Sequence, residues 1–289
     1  MSTDQPAMRT VRIGTLRIRV WGSGASPALV CFPPAGGSAL AFRPLAAELA
    51  PTRTVVAVDL PGHGASAGPA LRQLPEAARL ARAVLAPWLS GPAVLLGHSF
   101  GGYVAYETAR QLVTDRASSS TTSPLVSTTV ARPALRLALV VCATAAPTTP
   151  VHLPDPESND GVLTRAIERS GGLPASVQAE PELLRHYLPA LRADLAACAH
   201  YWQTWANRPP LPVPTLVVGG RDDAVVPPPR LSDWRELCVP SWFRLLPGGH
   251  HFPQQAPAQL AVELDRWMDV DLGWSSTPPW RDLALTATP

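Results

Sequence analysis

The pentapeptide GHSFG at residues 97–101 constrains the fold more than any other segment. It lies between the apolar run AVLL at 93–96 and the segment GYVAY at 102–106, an order that predicts a strand, a sharp turn and a helix. Glycines two positions before and after Ser99 let the backbone bend without a Cβ clash. The hydroxyl then lies at a helix N-terminus, where developing negative charge is favoured. We therefore expect Ser99 to be a nucleophile, which requires a base, an acid and an oxyanion site from other loops.

Apolar segments that alternate with helical patterns predict a mostly parallel sheet with helices on both faces. The predicted strands are residues 11–19, 28–32, 54–59, 93–96, 135–142, 215–218 and 242–246. The predicted helices are residues 40–49, 75–89, 100–112 and 257–269. Ligands of such sheets bind outside the carboxyl ends of the strands. The loops that come after the strands are therefore where chemistry is expected.

Residues 144–212 contain no strand pattern. Three segments in this region have apolar residues at helical spacing, namely 162–170, 182–192 and 194–206. We expect a single domain over 1–289, with this region as a helical cap inserted before the last two strands. The aromatic cluster of Tyr201, Trp202 and Trp205 either lines a pocket under the cap or belongs to the ordinary core. Residues 114–133, rich in serine and threonine, are expected to form a flexible surface insertion.

A serine hydroxyl needs a histidine to take its proton and a carboxylate to hold that histidine in the right tautomer, and two loops at strand ends offer these groups. GGRDDAVVP follows the strand at 215–218, and PGGHHF follows the strand at 242–246. The order serine, acid, histidine is that of the α/β-hydrolase fold, which we therefore predict.

Each of these loops contains a doublet. Spacing from Gly220 and Pro227 favours Asp223 as the acid over Asp222, and the position directly after two glycines favours His250 as the base over His251. His98 is expected to pack or to form a pocket wall.

Acyl transfer also needs two N–H donors for the oxyanion. One should be the backbone N–H of Phe100, directly after the nucleophile. The other should come from the first strand–helix loop, PPAGGS at 33–38. Its two prolines have no N–H, so Ala35 is the first possible donor and Gly36 is the alternative.

Composition excludes several other classes of protein. The net charge is only +2, and the sequence has no arginine-rich run with interleaved aromatic residues, the pattern typical of a nucleic-acid partner. All 24 basic residues are arginine, which excludes chemistry that needs a lysine. The cysteines and histidines show no metal-ligand spacing, so we expect buried thiols, no metal and no cofactor. Neither a membrane span nor a secretory signal is evident, and a cytoplasmic monomer is expected.

Four stretches together resemble the type II thioesterases, stand-alone α/β-hydrolases that accompany polyketide and nonribosomal peptide synthetases. They are FPPAGGS at 32–38, GHSFG with YVAYE at 103–107, the cap segment EPELL to LRAD over 180–194, and PGGH at 247–250. The cap segment is the most particular to that family. The resemblance implies hydrolysis of acyl thioesters on the phosphopantetheine arm of carrier proteins, with Ser99, Asp223 and His250 at the family's catalytic positions.

The chain departs from that family at three places. His63 lies in PGHGAS, where these thioesterases more usually have an arginine-containing version. His251 stands where phenylalanine is common, and the insertion at 114–133 is longer than expected. The alternatives to a thioesterase are a small-molecule esterase, amidase or peptidase of the same fold, or a non-catalytic scaffold. The scaffold is disfavoured because every catalytic position is filled.

Overall fold

A computed structural model describes residues 7–22, 27–89, 91–120, 136–173, 175–206 and 208–274. These residues contain an eight-stranded sheet in the order β1-β2-β4-β3-β5-β6-β7-β8. The strands are β1 Met8–Ile13, β2 Leu16–Trp21, β3 Ala28–Phe32, β4 Val55–Asp59, β5 Ala93–His98, β6 Leu137–Cys142, β7 Thr215–Gly220 and β8 Ser241–Leu246. Strand β2 is antiparallel to β1 and β4, whereas β4, β3, β5, β6, β7 and β8 are mutually parallel. The predicted α/β-hydrolase fold is confirmed.

The α-helices cover both faces of this sheet and form the cap. They are α1 Arg43–Leu49, α2 Leu74–Leu85, α3 Phe100–Ser120, α4 Asp160–Ser170, α5 Ala175–Gln178, α6 Pro181–Gln203, α7 Trp234–Leu237, α8 Phe252–Gln255 and α9 Pro257–Arg266. Helices α2 and α3 bury one face of the sheet, and α1 and α9 bury the other. Because the central strands are covered on both sides, they are continuous apolar runs rather than alternating ones.

Outside the cap, two predicted elements differ most from the structure. The predicted strand at 11–19 is broken into a hairpin, because Gly14 adopts a φ of +58° in the turn between β1 and β2. Helix α3 runs to Ser120, eight positions beyond its predicted end at Leu112. Its last turns contain Asp115, which pairs with Arg82 of α2. The part of the expected insertion at 114–120 is therefore helical, and 121–133 lies outside the described residues.

The cap consists of α4, α5 and α6, between β6 and β7. The two helices predicted at 182–192 and 194–206 form the single helix α6, which continues through Pro189. Proline removes one N–H donor from a helix, but Leu188, Leu191 and Leu195, on both sides of Pro189, are buried in one apolar cluster with Leu163 and Ile167 of α4. None of the helices in the described part of the chain is both long enough and apolar enough to span a bilayer.

The aromatic cluster of the cap belongs to the core. Tyr201 packs against Tyr103 of α3 with ring centroids 5.9 Å apart, and its hydroxyl donates to the buried Glu107 at 3.0 Å. Trp202 also contacts Tyr103, and Trp205 contacts Tyr106. These rings fasten the end of α6 to α3.

Candidate active site

Ser99 lies at a strained turn between β5 and α3. Its φ is +54°, in the left-handed region that favours glycine, and its N–H donates to the carbonyl of Cys142 at 2.8 Å. A Cβ at Gly97 would meet the carbonyl oxygen of Gly101 at 2.0 Å, and one at Gly101 would meet the carbonyl oxygen of Phe32 at 2.1 Å. The two glycines are therefore required by close backbone approach, which holds the serine above the sheet edge.

A continuous chain of hydrogen bonds joins the three predicted residues Ser99, His250 and Asp223. The Ser99 Oγ is 2.9 Å from Nε2 of His250, and Nδ1 of His250 is 3.0 Å from Oδ2 of Asp223. The carboxylate can only accept, so Nδ1 carries the proton and Nε2 is free to accept from the serine hydroxyl. Both His250 and Asp223 are buried. This arrangement suits proton transfer from serine to histidine.

The backbone around Asp223 distinguishes it from its neighbour Asp222. Its Oδ1 accepts the N–H groups of Val225 and Val226, each at 2.9 Å, and these bonds fix the carboxylate against the imidazole. Asp222 is exposed, and its backbone N–H donates to Gly248 at 3.0 Å. The structure thus brings Asp223, and not Asp222, to the histidine.

His251 is buried beside His250 and lines the pocket next to Ser99. Its ring centroid is 5.5 Å from that of His250, nearly perpendicular to it. Burial, followed by the neighbouring His250, lowers the pKa of His251 to about 4, so the ring is neutral. It is His250, and not His251, that the structure brings to the serine.

His98 has a contact that sequence reasoning missed. It is fully buried, and its Nε2 donates to the backbone carbonyl of His250 at 2.7 Å. Burial, followed by the neighbouring His250 and His251, holds the pKa of His98 well below its usual range, so the ring is neutral. It therefore supports the loop of His250 from beneath. The contact spans 152 positions of sequence, and no local pattern indicates it.

The first strand–helix loop brings Ala35 to the same pocket as Ser99. The N–H of Gly36 is already engaged, because it donates to Oδ2 of Asp194 at 2.8 Å. The N–H groups of Ala35 and Phe100 donate to no acceptor among the described residues. Of the two donors considered in this loop, Ala35 is thus the one left free for an oxyanion.

A pocket of about 520 Å³ opens beside Ser99 and His250. Its apolar wall comes from the cap and from the loops after β6 and β7, and comprises Val151, Leu153, Ile167, Leu191, Leu195 and Val225. Two exposed arginines, Arg169 and Arg230, also line it. Among the residues that the structure describes, no group of three or more His, Cys, Asp or Glu could hold a metal ion. The wall is suited to an extended apolar chain next to the serine.

Comparisons with known proteins agree on one family. The model of the thioesterase domain matches residues 27–268. The chain is 32% identical over 249 residues to a probable cadicidin biosynthesis thioesterase of Streptomyces griseus, covering 84% of this chain and 63% of that protein. It is also 32% identical over 229 residues to thioesterase PikA5 of Streptomyces venezuelae, covering 78% of this chain and 74% of that protein.

The solved structures with the same fold include another biosynthetic enzyme. The type II thioesterase BorB from the borrelidin biosynthetic cluster superposes with a TM-score of 0.70 and is 28% identical. The match covers 85% of this chain and 95% of BorB.

Proposed function

The chain belongs to the thioesterase family, and we propose that it hydrolyses acyl thioesters carried on the phosphopantetheine arm of carrier proteins in a polyketide or nonribosomal peptide pathway. The observation that carries this proposal is the hydrogen-bonded chain from Asp223 through His250 to Ser99 at the wall of an apolar pocket. The two relatives and BorB are all named as thioesterases, and the names of the Streptomyces griseus relative and of BorB also give a biosynthetic pathway, which supports the class of substrate.

In the proposed acylation step, the Ser99 Oγ attacks the thioester carbonyl carbon while Nε2 of His250 takes the hydroxyl proton. The carbonyl oxygen becomes an oxyanion, which the N–H groups of Phe100 and Ala35 stabilise. The tetrahedral intermediate then collapses, the carbon–sulfur bond breaks, and the proton on His250 passes to the leaving thiolate. The products are an acyl ester on Ser99 and the free thiol of the phosphopantetheine arm.

Deacylation repeats the same proton transfers with water. His250 removes a proton from a water molecule that attacks the acyl ester, and the oxyanion again forms between the two N–H donors. Collapse returns the proton to the Ser99 Oγ and releases the carboxylic acid. Asp223 keeps the histidine in the required tautomer and stabilises the imidazolium that forms in each step. The phosphopantetheine belongs to the substrate, so the proposed enzyme needs no cofactor of its own.

The experiment that tests this function compares two classes of substrate. The purified protein should release acyl groups from acyl-carrier proteins and from short acyl thioesters, with a higher kcat/KM on the carrier-bound form than on the oxygen ester of the same acyl group. Ser99→Ala should abolish release, while Ser232→Ala, at an exposed serine, should not. Cleavage of oxygen esters without any cleavage of carrier-bound thioesters would instead identify a small-molecule esterase.

A further inference from the structure

The cap helix α6 holds the loop that carries Ala35 through two side chains. The hydroxyl of Tyr187 donates to the carbonyl of Ala35 at 2.5 Å, and Oδ2 of Asp194 accepts the N–H of Gly36 at 2.8 Å. Gly36 has a φ of +68°, and a Cβ there would lie 2.7 Å from the ring of Tyr187. The position of the proposed oxyanion donor thus depends on the cap.

His63, from the loop after β4, supports the carboxylate of Asp194 from the other side. Its Nε2 is 2.8 Å from Oδ2 of Asp194, and its Nδ1 is 2.9 Å from the carbonyl oxygen of Pro61. His63 and Asp194 are 2% and 1% exposed, so water does not reach this pair. Both ring nitrogens face acceptors, whereas a neutral imidazole has one N–H to donate. Only the imidazolium satisfies both bonds while Asp194 remains a carboxylate.

We propose that His63 is a positioning residue: as an imidazolium it holds the Asp194 carboxylate on the N–H of Gly36, and its deprotonation loosens the oxyanion loop and lowers kcat. This inference rests on the proposed acyl transfer at Ser99, although it does not depend on which thioester or ester is the substrate. In a neutral His63, one ring nitrogen would carry no proton and would still face an acceptor oxygen. Two buried lone pairs would then point at each other, which is repulsive.

The charges around His63 set the direction of its titration. Burial lowers the pKa of His63, but the carboxylate of Asp194, the hydrogen bonds to Asp194 and Pro61, and the carboxylate of Asp59 raise it, and the net pKa lies above 6.5. Among the residues that the structure describes, Tyr187 and Cys198 also face Asp194, and burial raises the pKa of both, so they stay neutral. The stabilisation that the His63–Asp194 pair gives is therefore fully present below about pH 6.5, the ordinary pKa of histidine. It is lost as the pH rises through the higher pKa that His63 has in the folded protein.

The first test measures kcat on a short acyl thioester as a function of alkaline pH, for the wild type and for variants at positions 63 and 186. The uncatalysed rate of hydrolysis is subtracted at each pH. For the wild type we expect kcat to fall by about tenfold as the pH rises through the pKa of His63, a fraction of the hundredfold or more that accompanies complete loss of an oxyanion donor. His63→Arg should lack this decline because a guanidinium stays protonated. His63→Gln, neutral at every pH, should have the reduced kcat already at pH 7. The exposed His186 provides the matched control His186→Gln, which should follow the wild type.

The second test needs no substrate and remains informative if an arginine at position 63 prevents folding. Nitrogen-15 NMR of the histidine rings, assigned with His63→Gln, should show both nitrogens of His63 protonated at pH 7. A neutral His63 ring at pH 7 would overturn the proposal, as would an imidazolium whose replacement by glutamine leaves kcat and its alkaline decline unchanged. If the protein fails to cleave carrier-bound thioesters but cleaves a small ester, the proposed function fails, while both tests of His63 can still be made on that ester.

Discussion

Replacing the acid of the proposed triad, Asp223→Asn, tests how the structure fixes the tautomer of His250. Oδ1 of Asp223 accepts two backbone N–H groups, from Val225 and Val226. An amide oxygen can keep those two bonds, which turns the new NH₂ group toward Nδ1 of His250. Nδ1 must then accept, so the ring proton moves to Nε2 and faces the hydroxyl of Ser99. The histidine can no longer take the serine proton.

The expected loss is a consequence of this change of tautomer. In a serine protease triad the same substitution lowers kcat by about 10⁴-fold without disturbing the geometry, which corresponds to about 5.5 kcal/mol of activation free energy. KM should change little, because Asp223 is buried behind the histidine and is not part of the pocket lining. Asp222→Asn is the matched control, because Asp222 is the neighbouring residue, carries the same charge and is exposed. This substitution should change kcat less than twofold.

The assay is steady-state hydrolysis of one acyl thioester by the two variants and the wild type at neutral pH, with thermal melts to show that each is folded. A loss of kcat in Asp222→Asn that equals the loss in Asp223→Asn would refute the reasoning. So would a folded Asp223→Asn variant that retains more than a tenth of the wild-type kcat.

Three further predictions concern the nucleophile, the oxyanion loop and the core. Ser99→Ala should lower kcat by about a million-fold and prevent any acylated form of the protein from appearing in its mass spectrum. Gly36→Ala should lower kcat at least tenfold, because the added Cβ would lie 2.7 Å from the ring of Tyr187. Gly14→Ala is the control: Gly14 also has a positive φ, but its added Cβ would have no neighbour within 4 Å, so only the melting temperature should fall. Arg53→Met should lower the free energy of unfolding, measured in urea, by about 2 kcal/mol without changing kcat. The reason is that the buried guanidinium of Arg53 forms ion pairs with Asp265 and Asp269, at 2.5 and 2.9 Å. An unchanged urea midpoint would contradict this prediction.

Features that depend on local pattern could be predicted from the sequence. A run of buried β-branched and aliphatic residues marks each central strand, and the loops after β5, β7 and β8 carry Ser99, Asp223 and His250 in the expected order. Because parallel strands end at the same edge of the sheet, three local motifs suffice to predict one constellation. The preference for Asp223 and His250 within their doublets agrees with the hydrogen bonds between Asp223, His250 and Ser99.

Contacts between distant segments could not be predicted in this way. The bonds from Tyr187 to Ala35, from Gly36 to Asp194 and from His63 to Asp194 span 152, 158 and 131 positions. In the sequence, the LRAD segment indicates a family without indicating that its aspartate holds the oxyanion loop. The predicted division of this region into helices at 182–192 and 194–206 was wrong, because both segments belong to the single helix α6, whose apolar residues are buried together in the cap.

The central claim is that Ser99 takes an acyl group from a carrier protein and passes it to water. It is tested most directly by mixing the protein with an acyl-carrier protein and following the masses of both in time. We predict that the carrier loses the acyl mass, that the wild type transiently gains it on the peptide containing Ser99, and that Ser99→Ala leaves the carrier acylated. An acyl-carrier protein that keeps its acyl group in the presence of wild-type protein able to cleave a small oxygen ester would contradict the account.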